Sequence, residues 1–323
     1  MEFRTPFHIE TSAITSHAWG RGRLDAAVLK LDALQPTGSF KLRGVGAWFA
    51  HAIANGARRV ICPSGGNAGF AAAYCGRRSG VAVTIVVPRT TSEEARQAIE
   101  ETGAEVTVFG ADFDEADLRA RALARQNEWA YLHPFDDPLL WRGHSTLIDE
   151  VLAAGDEFDC VVTSVGGGGL LLGILEGLER HGLRNLPVIA VETEGAASLH
   201  SSLQANERVT LDRIATIATS LGAKRIAESA FERARDANVL SLTVSDSQAI
   251  DACLKLANTA RILVEPACGA SLAALDVHCE KFVGCRRPLV EVCGGIGVTI
   301  EKLLAWHQKS DGAQSRPDFP GAQ

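Results

Sequence analysis

Lys41 lies in the run Pro36-Thr37-Gly38-Ser39-Phe40-Lys41-Leu42-Arg43-Gly44, between a glycine-bearing turn and the start of an expected helix. A free lysine amine is protonated near neutral pH and is a poor nucleophile, so covalent work needs a carbonyl partner or a desolvating pocket. Schiff-base formation is the chemistry this position suggests. A solvated lysine on a first helical turn is the plainer alternative, and Lys41 alone does not decide between them.

Three further segments supply what a lone lysine lacks. Ser164-Val165-Gly166-Gly167-Gly168-Gly169-Leu170 follows the β-rich run Cys160-Val161-Val162-Thr163 and precedes the apolar stretch Leu171-Leu172-Gly173-Ile174-Leu175, an order that spells strand, loop, helix. Glycines let successive backbone N–H groups converge on phosphate oxygens, and the following helix N-terminus adds a partial positive charge. The same glycines would suit any close-packed strand-to-helix turn. The loop has no GxGxxG spacing and no Gly-Lys-Ser or Gly-Lys-Thr ending, so neither a dinucleotide fingerprint nor a nucleoside triphosphate loop is supported. Pyridoxal phosphate is a cofactor that uses both a lysine amine and a phosphate cradle.

Pro63-Ser64-Gly65-Gly66-Asn67-Ala68-Gly69 again follows a β-rich run, Arg59-Val60-Ile61-Cys62, and enters a small-residue helix. Serine, asparagine and helix-start amides there suit an anionic ligand such as an amino-acid carboxylate. Asn67 by itself is equally a cap or turn residue. Leu289-Val290-Glu291-Val292-Cys293-Gly294-Gly295-Ile296-Gly297 is a strand that ends in a thiol and a glycine turn, and Cys293 alone is equally a small buried hydrophobe.

The elements that must position these residues follow a βα alternation. Val60–Cys62, Val83–Val87, Glu105–Val108, Cys160–Val162, Val188–Val191 and Val290–Val292 are β-rich, and helical patterns such as Ser92–Thr102 and Asp114–Gln126 lie between them. That alternation predicts parallel α/β architecture with short connections. A chain of 323 residues, 46% of them hydrophobic, can bury a full core and form two lobes. A net charge of −7 and a pI near 5.7 argue against nucleic-acid or anionic-membrane partners. Eight cysteines without CxxC spacing, and no secretory pattern at the N-terminus, predict a reduced, cytoplasmic protein. No apolar run approaches the ~18 residues a spanning helix requires. Residues 309–323, polar with two prolines and two glycines, are expected to be a disordered tail.

In this order the segments resemble the fold-type II pyridoxal-phosphate enzymes, and within them the L-serine dehydratases related to threonine dehydratase and serine racemase. Phe135-Asp136-Asp137-Pro138-Leu139-Leu140-Trp141-Arg142-Gly143-His144 and Leu263-Val264-Glu265-Pro266-Ala267-Cys268-Gly269-Ala270 extend the likeness from about Thr5 to Trp306. The resemblance implies a tryptophan synthase β-like fold: two open, mostly parallel α/β lobes with the cofactor in the cleft. Residues 36–136 would form the small substrate-binding lobe, and residues 1–35 with 137–308 the large cofactor-binding lobe. Lys41 would carry the cofactor as a Schiff base and then remove the substrate Cα proton. Phe40 would pack on the pyridine ring and Asn67 would bind the 3′-oxygen. Gly166, Gly167, Gly168, Gly169 and Leu170 would donate backbone N–H groups to the phosphate. Ser64, Gly65, Asn67 and Ala68 would face the substrate carboxylate. Cys293 would meet the pyridine nitrogen, where a neutral thiol keeps the ring a weaker electron sink than a carboxylate would and so favours β-elimination over transamination.

The resemblance further implies dehydration and deamination of L-serine and L-threonine to pyruvate or 2-oxobutyrate plus ammonia, in a homodimer. It also implies a monovalent cation, potassium or sodium, held by Glu192 with carbonyls of Gly166, Ala196, Leu221 and Ala223; Ser198 is a further candidate. Glu192 and Glu194 capping a surface loop is the alternative. Serine racemases carry serine where Gly65 stands, which turns the expectation toward elimination, although racemase or β-replacement chemistry shares the scaffold. His133 and Arg142 depart from the expected pattern and, if they line the cleft, would admit a bulkier or acidic substrate such as 3-phenylserine or 3-hydroxyaspartate. No C-terminal regulatory domain is evident, so feedback inhibition is not expected.

Overall fold

The computed structural model describes residues 6–314, with side-chain surroundings through Ser310. The chain enters through β1 (Ala13–Ser16) and β2 (Ala27–Lys30), then leaves for β3 (Arg59–Cys62), β4 (Ala82–Val87), β5 (Glu105–Val108) and β6 (Ala130–Tyr131). It returns for β7 (Cys160–Ser164), β8 (Val188–Thr193), β9 (Val239–Val244) and β10 (Pro288–Glu291). The excursion builds one sheet, β5-β4-β3-β6, and the remaining strands a second, β1-β2-β10-β7-β8-β9. Every pairing is parallel except β1 with β2.

The last strand takes a central place. Leu289 pairs with Val28 on one side and Val161 on the other, so β10 lies between β2 and β7. All of β2, β7, β8 and β10 is buried, as expected for parallel strands covered on both faces. Each buried Val, Leu or Ile contributes roughly 1.5–3 kcal/mol by leaving water.

Eleven helices among the described residues cover the sheets. These are α1 (Lys41–Ala54), α2 (Asn67–Ser79), α3 (Glu93–Glu100), α4 (Phe113–Asn127), α5 (Pro138–Ala153), α6 (Gly169–Arg180), α7 (Ser198–Ala205), α8 (Glu228–Asp236), α9 (Asp246–Ala260), α10 (Pro266–Val277) and α11 (Ile300–Gln314). Helix α5 joins the sheets by packing on both α1 and α6. Its approach requires glycine: a Cβ on Gly143 would lie 2.6 Å from the Gly44 Cα, and one on Gly173 2.8 Å from the Trp141 carbonyl oxygen. Asp137 caps α5 by accepting from the Leu139 amide at 2.8 Å, with Pro138 in the first turn. Through this contact the lysine-bearing start of α1 is fixed relative to the glycine-rich start of α6.

Helix α11 reaches into the first residues of the expected tail. Residues 309–314 are helical, and the Ser310 hydroxyl donates to the Trp306 carbonyl at 2.9 Å. No proline interrupts the segment before Pro317. The remainder of the expected tail, residues 315–323, lies outside the described residues. No helix among the described residues is long and apolar enough to cross a membrane.

Candidate active site

Strands of both sheets lead into one place. Strand β10 runs into Cys293 and Gly294, β7 into the glycine loop, and β3 into Ser64 through Asn67. Lys41 is brought among them by backbone bonds. The Phe40 amide donates to the Cys293 carbonyl at 3.0 Å, the Gly295 amide donates to the Gly38 carbonyl at 2.8 Å, and Ser39 bridges Gly294. Gly38, Gly294 and Gly295 all have positive φ, and a Cβ on Gly294 would lie 2.2 Å from the Gly38 carbonyl oxygen, so this crossing admits no side chain.

The Lys41 amine donates to the Pro134 carbonyl at 2.8 Å. Burial pushes its pKa down to about 8, against the opposing influence of Cys62, Cys293 and Glu265. A neutral nucleophilic fraction is therefore accessible near neutral pH.

Glycines 166–169 form a surface that side chains would fill. A Cβ on Gly167 would sit 2.2 Å from the Phe135 ring, one on Gly168 2.4 Å from Ala230, and one on Gly169 2.5 Å from the Phe135 carbonyl oxygen. Gly168 has φ +97°, and Gly169 and Leu170 open α6, where the first amides have no partner within the helix. The buried hydroxyls of Ser39 and Ser164 have no protein partner. A lysine of depressed pKa, a glycine cradle at a helix start and orphaned hydroxyls fit a phosphate-bearing carbonyl compound.

Asn67 begins α2 and is buried. Its amide nitrogen donates to Glu265 at 2.9 Å and to Ser220 at 3.3 Å, and its oxygen accepts from the Ile296 amide at 3.0 Å. Glu265 also accepts from the Gly297 amide at 3.2 Å, and burial raises its pKa. Ser64 and Ala68 flank Asn67, with the Ser64 hydroxyl accepting from the Gly66 amide at 3.4 Å. Gly65 has no free space at its side: a Cβ would lie 2.7 Å from the Thr91 methyl and 2.8 Å from its hydroxyl.

Cys293 is buried, and a hydrogen bond with Cys268 followed by desolvation hold its thiol well above its usual pKa. It is a neutral group. Phe40 packs against His144, ring centroids 4.9 Å apart, with the Lys41 amine 5.1 Å from the Phe40 centroid.

Glu192 is wholly buried and is not a surface cap. Its carboxyl accepts from the Leu199 and His200 amides at 2.9 and 2.7 Å, and burial still pushes its pKa up to about 8. The nearby Ser198 hydroxyl is buried without a partner, and Leu221 packs against Gly166. Glu194 is exposed.

The two departures separate. His133 adjoins the Lys41 acceptor, takes hydrogen bonds from the Phe135 and Asp136 amides at 3.3 and 2.8 Å, and is pushed down to about 4 by burial. Arg142 is on the surface, 3.9 Å from Glu176. Glu265, Phe135, Ser220 and Thr91 are site neighbours that local sequence did not single out. For Glu265 a signal existed: a carboxylate in an otherwise apolar segment directly before the proline that opens a helix.

The comparisons with known proteins agree with this geometry. The chain is 42% identical to the bovine protein named L-serine dehydratase/L-threonine deaminase, covering 93% of this chain and 95% of that one. It is 40% identical to the human protein named serine dehydratase-like, covering 93% and 94%. The fold superposes on a fungal L-serine ammonia-lyase from Rhizomucor miehei with a TM-score of 0.87 at 31% identity, covering 94% of this chain and 99% of that one. The model of the pyridoxal-phosphate dependent enzyme family matches residues 4–294. Since that match runs from the N-terminal strands to the turn after β10, taking in Lys41, Asn67, the glycine loop and Cys293, this chain belongs to the pyridoxal-phosphate-dependent enzymes.

Proposed function

We propose that the protein catalyses β-elimination of L-serine and L-threonine, releasing ammonia with pyruvate or 2-oxobutyrate. The observation that carries this is the Lys41 amine, held at a pKa of about 8 where Asn67, Cys293 and the Phe135-covered glycine loop meet. The names of the curated relatives support the substrate class. When bound, pyridoxal phosphate supplies the carbonyl that condenses with an amine and the ring that withdraws electrons from Cα.

The residues do the rest. Lys41 would hold the cofactor, and its Nζ would be the base that takes the substrate Cα proton. Backbone amides of Gly166 to Leu170 bind the phosphate, and Phe40 supports the ring. Asn67 orients the 3′-oxygen, while Ser64, Gly65, Asn67 and Ala68 receive the substrate carboxylate. Cys293, whose thiol stays neutral, would offer the pyridine nitrogen a weak hydrogen bond and no carboxylate, an environment that would favour elimination over transamination. The four-stranded sheet and its helices, residues 36–136, act as the substrate lobe.

A potassium or sodium ion at Glu192, Gly166, Ala196, Leu221 and Ala223 belongs to this reading, supported by the buried carboxyl and the orphaned Ser198 hydroxyl. A cytoplasmic homodimer completes it. Lys41→Ala should remain folded, lose the visible absorbance of bound cofactor and lose at least about 10³-fold in turnover. Ammonia release from serine, threonine, 3-phenylserine and 3-hydroxyaspartate ranks the substrates, and preference for either of the last two would replace the proposed pair. Exchange of potassium and sodium for a large organic cation should weaken cofactor retention; an unchanged dissociation constant would remove the ion from the account.

A further inference from the structure

Behind the site lies a buried ionic cluster that the elimination chemistry does not use. The Arg43 guanidinium donates to both oxygens of Asp32 at 2.5 and 2.7 Å and to both oxygens of Glu150 at 2.5 and 2.7 Å. Lys30 donates to Glu150 at 2.5 Å and to the Thr11 carbonyl. Asp32 also accepts from the Thr11 hydroxyl at 2.7 Å. One member breaks the pattern: Glu291 is wholly buried, and neither of its oxygens meets a donor.

The neighbour of Glu291 is the Asp32 carboxylate. Two buried carboxyls in contact are satisfied only if one carries a proton and donates it to the other. Asp32 already receives Arg43 and Thr11, so Asp32 is the anion and Glu291 the acid. The charges then close, with Arg43 and Lys30 balancing Asp32 and Glu150. Burial, followed by the Asp32 charge, holds the Glu291 carboxyl well above the ordinary range. The charged and titratable groups around Glu291 are Asp32, Arg43, Lys30 and Cys293, and His8, kept neutral chiefly by burial, faces the same cluster.

The cluster has a position as well as a charge. Glu291 ends β10 two residues before Cys293, and the Val292 amide between them donates to the Lys30 carbonyl at 2.9 Å. Arg43 follows Lys41 by two residues in the first turn of α1. The link Glu291–Asp32–Arg43 therefore joins the strand that delivers Cys293 to the turn that delivers Lys41.

We propose that Glu291 is a positioning residue, a neutral acid whose hydrogen bond to Asp32 sets the spacing of Cys293 and Lys41 around the cofactor. This rests on the reading of those two residues as cofactor-facing. Loss of the proton would leave a third carboxylate charge with no counter-ion.

The test uses the holoenzyme with Glu291→Gln, which keeps a donor but cannot ionise, and Glu291→Leu, which has no donor. Above the ordinary carboxyl pKa the folded protein holds a proton that the unfolded chain releases, so wild-type stability falls as pH rises through that window. The melting temperature of Glu291→Gln should gain on wild type by about 5 °C between pH 5 and pH 8. Cofactor dissociation constants, read by absorbance at pH 7, should agree within about twofold for wild type and Glu291→Gln and rise roughly tenfold in Glu291→Leu. Parallel melting curves for wild type and Glu291→Gln would overturn the assignment of the acid. Equal cofactor retention in the Leu and Gln variants would overturn the positioning role. Retention of the visible absorbance by Lys41→Ala would instead fault the underlying reading of the site, a failure that the melting comparison does not share.

Discussion

Two glycine turns at strand ends face each other across the site, and they are built in opposite ways. The loop after β7 is closed on its outer side: ring, methyl and carbonyl atoms of Phe135 and Ala230 lie within 2.2–2.5 Å of where Cβ atoms of Gly167, Gly168 and Gly169 would be. The turn after β3 is looser. Gly66 has nothing within 4 Å of a Cβ, and the atoms nearest a Cβ on Gly65, though as close as 2.7 Å, belong to the side chains of Thr91 and Val87 rather than to backbone. The first turn offers backbone alone, suited to a group that never changes, such as a cofactor phosphate. The second offers side chains, Ser64 and Asn67, with adjustable neighbours, suited to a substrate.

The sharpest way to break that contrast is one methyl group on each side. Gly167→Ala drives a Cβ into the Phe135 ring, so the cofactor dissociation constant should rise more than about 100-fold and stability should fall by about 1–3 kcal/mol. Gly66→Ala should change stability by less than about 1 kcal/mol in the same denaturation series. Equal effects at the two positions would remove the distinction between a rigid cradle and an adjustable turn.

A smaller effect is expected where the two turns are linked. Asn67→Ala removes the bonds to Glu265, Ser220 and the Ile296 amide, and leaves the buried Glu265 carboxyl one donor short. A loss of about 2–3 kcal/mol in transition-state stabilisation, read as roughly a 30- to 150-fold drop in kcat/KM, is the expected result. An unchanged kcat/KM would make Asn67 a helix-start residue and nothing more.

The mildest test is pH. The Lys41 pKa is depressed to about 8, so the neutral amine fraction grows tenfold per unit below that value and levels above it. Capture of added cofactor by cofactor-free protein, followed by absorbance, should climb and level accordingly. By the same shift the unfolded chain binds more protons than the folded one from about pH 8 up to the ordinary lysine value, and this amine adds stability as pH rises through that range. A capture rate still rising steeply above pH 9 would return Lys41 to an ordinary solvated lysine.

Much of the fold was legible because parallel strands are short and apolar. The runs at Arg59–Cys62, Ala82–Val87, Cys160–Ser164 and Val188–Thr193 stand out without any partner, and α1 and α6 begin where the lysine and glycine segments place them. Strands β1, β2, β6 and β9 have no such signal, and β6 is only two residues long. β1 and β9 lie at sheet edges with mixed burial, and a buried lysine interrupts the apolar run at β2. Helix α11 runs on to Gln314, since polar composition alone does not stop a helix.

The site divides along the same line. Lys41, Asn67, Cys293 and Gly166 to Gly169 announce themselves because each needs a particular local backbone: a helix start, a strand end or a conformation only glycine adopts at low cost. Phe135, Thr91 and Glu291 carry no such local mark, and Glu265 only the helix-opening proline that follows it. Asn67 and Glu265 are 198 positions apart, and what brings them together is the return of the chain to the six-stranded sheet after the four-stranded one is built. Sequence by itself determined which residue types stand at the ends of which strands, since alternation and turn chemistry act over a few residues. Only the tertiary structure decided which buried charges share a proton and which glycines face an aromatic ring, because those depend on sheet order and helix approach.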